Sequence, residues 1–126
     1  MELLYNCLNQ ENPQIQAVAV EGIAKLMLSK MIYDKAVSNF IFTNYNFGII
    51  SNLFFFDIFS IQLLKELIML YFNVETAPNL RLRQCLSYFL PVYCHSSVEN
   101  QRLMQQVFLY FKASLYIFNN VLKRYD

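Results

Sequence analysis

Apolar residues recur at intervals of three and four along most of the chain, which is the spacing of one face of an α-helix. This spacing predicts helices over residues 2–9, 13–30, 61–73, 80–96 and 98–123. Asn12 suits a helix N-cap and Pro13 the first helical position, where no backbone N–H is needed. Pro78 lies in the turn predicted at 73–79. The pattern therefore predicts an all-α fold of short-looped helices.

The same periodicity predicts which side chains face the core. For helix 13–30 these are Ile15, Val18, Ala19, Gly22, Ile23, Leu26 and Met27. For helix 61–73 they are Ile61, Leu64, Leu67, Ile68, Tyr71 and Phe72, and for the last helix Leu103, Val107, Phe108, Phe111, Leu115, Phe118 and Leu122. Gly22 is interpreted as permitting close approach of a neighbouring helix. The aromatic residues of the last helix form either a partner-binding stripe or a core face that expects a further repeat.

Helix 80–96 carries a proline within its predicted apolar face. Apolar residues lie at positions 82, 85, 86, 89, 90 and 93, and Pro91 removes one backbone hydrogen bond and predicts a bend. A bent amphipathic helix followed at once by another is typical of stacked helical repeats. Helix, short loop and helix at a spacing of roughly 40 residues indicates HEAT-like repeats. We expect a HEAT-like α-solenoid fragment of two to three repeats.

Composition supports this class and offers no sign of a strongly charged partner. Apolar residues make up 56% of the 126-residue chain and charged residues only 15%, so a face is expected to be buried against another element. The net charge of +1 provides no steering towards nucleic acid or anionic membrane. Two glycines and three prolines are too few for a β-sandwich or barrel.

No pattern of reactive residues predicts an enzyme, a cofactor or a metal site. The three cysteines, Cys7, Cys85 and Cys94, lack metal-ligand spacing, and the first residues lack the features of a secretory leader. Reduced thiols in the cytosol or nucleus are therefore expected. His95 follows Cys94, but adjacent helical residues point about 100° apart and do not readily hold one ligand. The chain is predicted to be non-enzymatic, with no small-molecule substrate.

Two blocks of sequence resemble a known family. The first is residues 12–29, whose closest part is Val18-Ala-Val-Glu-Gly-Ile-Ala-Lys-Leu26, and the second is residues 64–73 followed by 82–93 and Asn100-Gln101. Both are similar, in the same order, to the non-SMC HEAT-repeat subunits of condensin, the condensin complex subunit 3 (G-type) family. A departure is Val74, which stands where the family often has proline.

The resemblance implies a fragment from the C-terminal half of a curved HEAT solenoid. In that family the solenoid grips the kleisin subunit and, with it, holds DNA in a basic groove. The implied role is a scaffold in mitotic chromosome condensation, with kleisin and SMC subunits as partners and DNA bound through the whole complex. The implied location is the nucleus and chromosome, and also the cytoplasm outside mitosis.

Residues 37–62 differ in character from the flanking segments 1–36 and 63–126. No charged residue occurs from 37 to 56, and phenylalanine, asparagine and isoleucine dominate. Three interpretations are a membrane helix, a buried helix or aromatic hairpin, and a translated intron, of which the last is favoured. Val37-Ser38 can be encoded by a splice-donor sequence and Gln62 by a splice-acceptor ending. The membrane interpretation supports an alternative function, a small membrane-associated protein anchored by 37–59.

Basic residues are candidate DNA contacts because the resembled family binds DNA. Lys25, Lys30 and Lys35 recur every five residues, and Arg81 and Arg83 lie in the first turn of helix 80–96. Arg81 and Arg83 are the candidate DNA contacts. The favoured alternative is that all these basic residues are scattered, solvated charges, because a phosphate-binding surface needs several cations converging on one groove.

Overall fold

The computed structural model describes residues 2–29 and 49–125. Within these residues the chain forms five α-helices and no strand. We label them α1 (Glu2–Leu8), α2 (Pro13–Leu28), α3 (Ile49–Phe72), α4 (Leu80–Ser96) and α5 (Val98–Tyr125). The predicted all-α class is confirmed. Lys30, Lys35 and residues 37–48 lie outside the described residues.

The helices are arranged as a stack of hairpins. Helix α2 contacts α1 and α4, α3 contacts α4 and α5, and α4 contacts α5. The pairs α1–α2 and α3–α4 are therefore successive hairpins whose second helices pack together, while α5 packs against α3 as the first helix of a third unit. This is the layering of an α-solenoid, and it confirms the predicted fragment of two to three repeats.

The start of α2 is fixed by its own sequence. The Asn12 side-chain oxygen accepts hydrogen bonds from the N–H groups of Gln14 at 2.9 Å and Ile15 at 3.5 Å. Pro13 occupies the first turn, as predicted. The Gln16 amide donates to the carbonyl of Leu8 at 2.7 Å, which joins the end of α1 to α2. Local capping thus sets the geometry of the first hairpin.

The turn between α3 and α4 is organised around a buried threonine. The Thr76 hydroxyl donates to the carbonyl of Leu70, in the last turn of α3, and to that of Asn73, just after the helix. The Asn73 side chain accepts from the N–H of Glu75 at 2.9 Å, an Asx-turn bond. These bonds close the second hairpin without glycine.

One hydrophobic core joins all five helices. Helix α4 contributes Leu82, Leu86, Phe89 and Tyr93, each at most 1% exposed, and the Phe89 and Tyr93 rings lie 5.3 Å apart. The remaining buried apolar residues are Leu8, Ala17, Val20, Ile23, Ala24, Met27, Leu63, Leu64, Leu67, Ile68, Leu70, Leu103, Met104 and Val107. The predicted apolar face of α4 is confirmed at these four positions, with Cys85 and Leu90 partly buried beside it.

The position predicted for Pro91 is wrong. Pro91 is exposed and lies outside the buried face, because it follows Phe89 by two residues and so points about 200° away from it. Its ring removes the N–H that would donate to the carbonyl of Ser87, but Ser87 is also on the exposed side, where that carbonyl is accessible to water. Helix α4 accordingly continues past the proline to Ser96.

The face predicted for α2 is also largely wrong. Ile15, Val18 and Leu26 are exposed, and a Cβ added at Gly22 would meet no atom within 4 Å among the described residues. The buried residues of α2 are Ala17, Val20, Ile23, Ala24 and Met27. The helix has two apolar faces, and periodicity alone does not tell which one meets the core.

Two more helices depart from their predicted inward faces. In α3, Phe72 is exposed because it lies at the last position of the helix. In α5, Leu103, Val107 and the partly buried Phe111 pack inward as predicted, but Phe108 and Leu115 are exposed. At 28 residues, α5 is longer than α3 at 24, and its second half extends past the core. The side chains of Phe118 and Leu122 lie outside the described part.

The end of the predicted insert belongs to α3. This helix begins at Ile49 rather than near residue 61, so the predicted border at residue 62 falls inside it. Ser60 is buried, and Phe59 and Ile61 pack partly against the core. Across residues 2–29 and 49–125, no helix combines the length and the apolar character needed to cross a membrane.

Two neighbouring aromatic residues of α4 test the packing. Phe89 is 1% exposed and Tyr88 is 70% exposed. We expect Phe89→Ala to lower the free energy of unfolding by about 3–5 kcal/mol, because it leaves a cavity in the core. Tyr88→Ala, the matched control, should change it by about 0.5 kcal/mol or less. Urea denaturation of both variants, monitored by circular dichroism, measures the difference; equal effects would contradict the assigned face.

Candidate nucleic-acid interface

The candidate residues Arg81 and Arg83 lie where α4 begins beside α2. The Asn79 side chain caps α4 by accepting from the N–H of Leu82 at 3.2 Å. The same side chain donates to the carbonyl of Pro13, in the first turn of α2, at 2.8 Å. One asparagine therefore caps one helix and holds the start of another beside it, which fixes where the arginines emerge.

Arg81 pairs with a carboxylate on α2. Its Nε lies 2.6 Å from Oε1 of Glu21, and its Nη2 lies 3.0 Å from Oε2. Two parallel N–H···O bonds give the guanidinium one fixed orientation. The arginine side chain is 58% exposed and the glutamate 28%, so water reaches both groups. Arg81 thus joins α4 to α2 across the surface of the stack.

The ion pair shifts the protonation of both partners. The hydrogen bond from Arg81 lowers the pKa of the Glu21 carboxyl, aided by the nearby charge of Lys25. The hydrogen bond and charge of Glu21 raise the pKa of Arg81. At neutral pH the carboxylate therefore neutralises the arginine locally, and a phosphate would have to compete with it.

Arg83 lies on a different side of α4. Its guanidinium carbon is 5.0 Å from the centre of the Tyr71 ring on α3, within the range of a cation–π contact. Residues two apart on a helix point about 200° apart, so Arg81 faces α2 while Arg83 faces α3. The structure does not bring the two arginines together on one surface.

A third contact of a cationic side chain joins α3 to α5. The Lys65 ammonium of α3 lies 4.2 Å from the centre of the Tyr110 ring on α5. Sequence reasoning missed the partners Glu21, Tyr71 and Tyr110, because each lies at least 12 residues from its cation and no local spacing links them. The only available signal was that Glu21 is the sole acidic residue of α2.

The cysteine and histidine side chains lie on α1 and α4. Burial, and then the charge of Glu21, raise the pKa of the Cys85 thiol, so the thiol stays protonated and weakly nucleophilic. Cys7 is exposed, and all three cysteines are free thiols. His95 is exposed in the last turn of α4. In the part of the chain that the structure describes, no group of three or more His, Cys, Asp or Glu side chains could hold a metal ion.

Comparison with known proteins identifies the family. Residues 1–123 match the family Cnd3, described as nuclear condensing complex subunits, C-term domain. The chain belongs to this family. The resemblance recognised in the sequence is thereby confirmed, and it extends over nearly the whole chain rather than two blocks.

Curated relatives agree with this assignment. The chain is 28% identical over 109 residues to "Condensin complex subunit 3" of Homo sapiens, across 86% of the chain and 8% of that protein. Identity to the proteins of the same name is 31% in Xenopus laevis, across 81% of the chain and 10% of that protein, and 32% in Schizosaccharomyces pombe, across 84% of the chain and 9% of that protein. The chain thus spans a tenth or less of the length of these relatives. No solved structure is significantly similar to it.

The Glu21–Arg81 pair predicts a pH dependence. Since the folded pKa of Glu21 lies below its ordinary value of 4.5, the pair stabilises the fold at pH above that value and is lost as pH falls through the folded pKa. The stability difference between the natural chain and Glu21→Gln should therefore be present at neutral pH and vanish in acid. Denaturation across this range measures it.

Arg81→Gln is the matched control for that experiment. It removes the other half of the same pair, so its stability difference should fade over the same acidic range, and adding salt should shrink both differences. A difference for Glu21→Gln that persists unchanged in acid would contradict the pairing.

Proposed function

We propose that the chain serves as a non-enzymatic scaffold segment of a condensin complex subunit 3, acting in chromosome condensation. The observation that carries the proposal is the family match over residues 1–123. The relatives bear the name of a complex subunit, and the stacked helices present long exposed surfaces. A solenoid of this kind acts by binding partners along its length.

The partners we propose are the kleisin and SMC subunits of condensin, with DNA bound through the whole complex. Support comes from the relatives' printed name, which places those proteins in the condensin complex. We propose the nucleus and the chromosome as its location, and the cytoplasm outside mitosis, to match that role. The exposed apolar side chains of α2 and α5 are surfaces suited to protein contacts.

Arg81 and Arg83 remain the proposed DNA contacts. Both belong to the first turn of α4, with Arg81 on the side of α2 and Arg83 on the side of α3, and the Arg81 side chain is 58% exposed. A DNA phosphate approaching Arg81 would displace or share its bond with Glu21, because one guanidinium fork presents only a few donors. The Arg83 contact with Tyr71 leaves donors of its guanidinium for a phosphate, since the ring engages only one face of the group.

The proposal is tested in the assembled condensin complex with the full-length subunit. Arg81→Glu with Arg83→Glu should leave complex assembly intact and weaken DNA binding, with the slope of log affinity against log salt falling by about one per lost phosphate contact. Glu21→Gln should strengthen binding, because it frees Arg81. Fluorescence anisotropy with duplex DNA across a salt series measures both.

Lys112→Glu is the matched control, an exposed basic residue on α5 far along the chain from the arginines. It should leave DNA affinity unchanged. Failure of the natural full-length subunit to co-purify with kleisin and SMC subunits would overturn the scaffold proposal itself. Unchanged DNA affinity in the double variant would overturn only the DNA contacts.

We also propose that residues 37–62 are a translated intron. The support is their uncharged, aromatic composition from 37 to 56 and the codons that Val37-Ser38 and Gln62 allow. We expect the cDNA to join the codon of Ala36 directly to that of Leu63. Reverse transcription and sequencing across this junction tests it, and a transcript population that mostly retains the segment would contradict it.

A further inference from the structure

Two interhelical turns enclose a groove at one edge of the stack. One is the turn between α1 and α2, residues 9–12, and the other is the turn between α3 and α4, residues 73–79. The space between them is about 500 Å³, within the range of ligand pockets. The 2.8 Å bond from the Asn79 side chain to the carbonyl of Pro13 joins its two sides. We call this space the turn groove.

Hydrogen bonds hold the two sides of the turn groove in place. On the first side, the Gln10 side chain donates to the carbonyl of Asn6 at 2.8 Å. The Gln16 side chain donates to the carbonyl of Leu8 at 2.7 Å. On the second side, the buried Thr76 hydroxyl bonds the end of α3. The turn groove is therefore largely formed before anything binds, which lowers the ordering cost of binding.

The charged side chains that line the turn groove are both acidic. Glu11 lines it from the first turn and Glu75 from the second, and no lysine or arginine is among the described residues around it. Both glutamates are exposed, and within residues 2–29 and 49–125 neither carboxylate has an ion-pair partner. Two like charges that face one concave space raise the local concentration of cations.

The helix N-termini at this edge do not counter that preference. Helices α2 and α4 both begin here, and free N–H groups at a helix start attract anions. In α2 the first position is Pro13, which has no N–H, and the next two N–H groups are bonded to Asn12. In α4 the N–H of Leu80 donates to a carbonyl of the turn, and that of Leu82 donates to the Asn79 side chain. The carboxylates therefore determine the sign of the ligand.

Amide side chains add hydrogen-bonding groups that match a peptide backbone. The exposed Asn9 side chain lines the turn groove and has no hydrogen-bond partner in the described part of the chain. Asn73 uses only its oxygen, for the N–H of Glu75, and Gln10 uses only its NH₂ group. Each amide carries a donor and an acceptor, as a peptide unit does. An extended peptide therefore finds partners here for its backbone as well as for its charge.

We propose that the turn groove binds an extended basic segment of a partner protein, with a lysine or arginine side chain between Glu11 and Glu75. Charge-assisted bonds to the two carboxylates supply the affinity, and the free amide groups bond the peptide backbone. Carboxylates repel phosphate, so the occupant is a protein segment rather than nucleic acid. The site uses neither Arg81 nor Arg83 and does not rest on the proposed DNA contacts.

The first test measures binding of a defined basic peptide to the full-length subunit. The probe is a short fluorescein-labelled peptide of alternating arginine and serine, and fluorescence anisotropy reports its affinity. Glu11→Gln and Glu75→Gln should each weaken binding about threefold, and together about tenfold or more. The same peptide with citrulline in place of arginine should bind the natural subunit at least as weakly. Unchanged affinity in the double variant, or tight binding of the citrulline peptide, would overturn the proposal.

Glu99→Gln is the matched control, because it removes the same charge from an exposed carboxylate in the first turn of α5. The 17 residues of α4 place that turn about 25 Å from the turn groove. Its affinity should equal that of the natural subunit, and a loss as large as that of Glu11→Gln would overturn the site in favour of general charge attraction.

Asn9→Ala separates a shaped site from charge alone. It changes no charge, and the side chain it removes has no bond to the described part of the fold. Thermal denaturation of the variant should match that of the natural subunit. Peptide affinity should fall about two- to fivefold, because one backbone hydrogen bond is lost. Unchanged affinity would overturn the role of the amide groups in binding a peptide backbone.

Discussion

The packing of α4 against α2 is the contact on which the rest of the structure depends. Helix α4 touches α2, α3 and α5, so it links the first hairpin to everything after it. Its buried face consists of Leu82, Leu86, Phe89 and Tyr93. Burying each such side chain stabilises the fold by about 1.5–3 kcal/mol, which makes apolar burial the dominant favourable contribution. Without this face the two hairpins would have no shared core.

Polar contacts at the same junction set alignment rather than stability. The Arg81–Glu21 pair is exposed to water and screened by salt, so it adds little to the free energy of folding. The bond from Asn79 to the Pro13 carbonyl is different, because the same side chain also caps α4. It ties the start of one helix to the start of the other. Apolar burial therefore holds the hairpins together, while these bonds determine where along each helix they meet.

Sequence reasoning succeeded where the physics is local and failed where it is not. The cap at Asn12 and Pro13 and the ends of α4 follow from neighbouring residues, and they were predictable. The face of α2 was not, because Ile15 and Val20 lie on two apolar faces and only the position of α4 decides between them. Pro91 was assigned to the wrong face of α4. On the solvent side, a proline hardly disturbs the backbone hydrogen bonds on the side of the helix that faces the core. The partners of Arg81 and Arg83 required the tertiary fold.

The exposed apolar residues account for part of the high apolar fraction of the chain. A chain with 56% apolar and 15% charged residues has more apolar side chains than its own core buries. Much of the excess lies on α2 and on α5, the helices at the two ends of the described stack, where Val18 and Tyr116 are 53% and 70% exposed. In a solenoid each end of a short segment is an interior surface of the longer array. A surface made for contacts with other helices is what the proposed structural role requires.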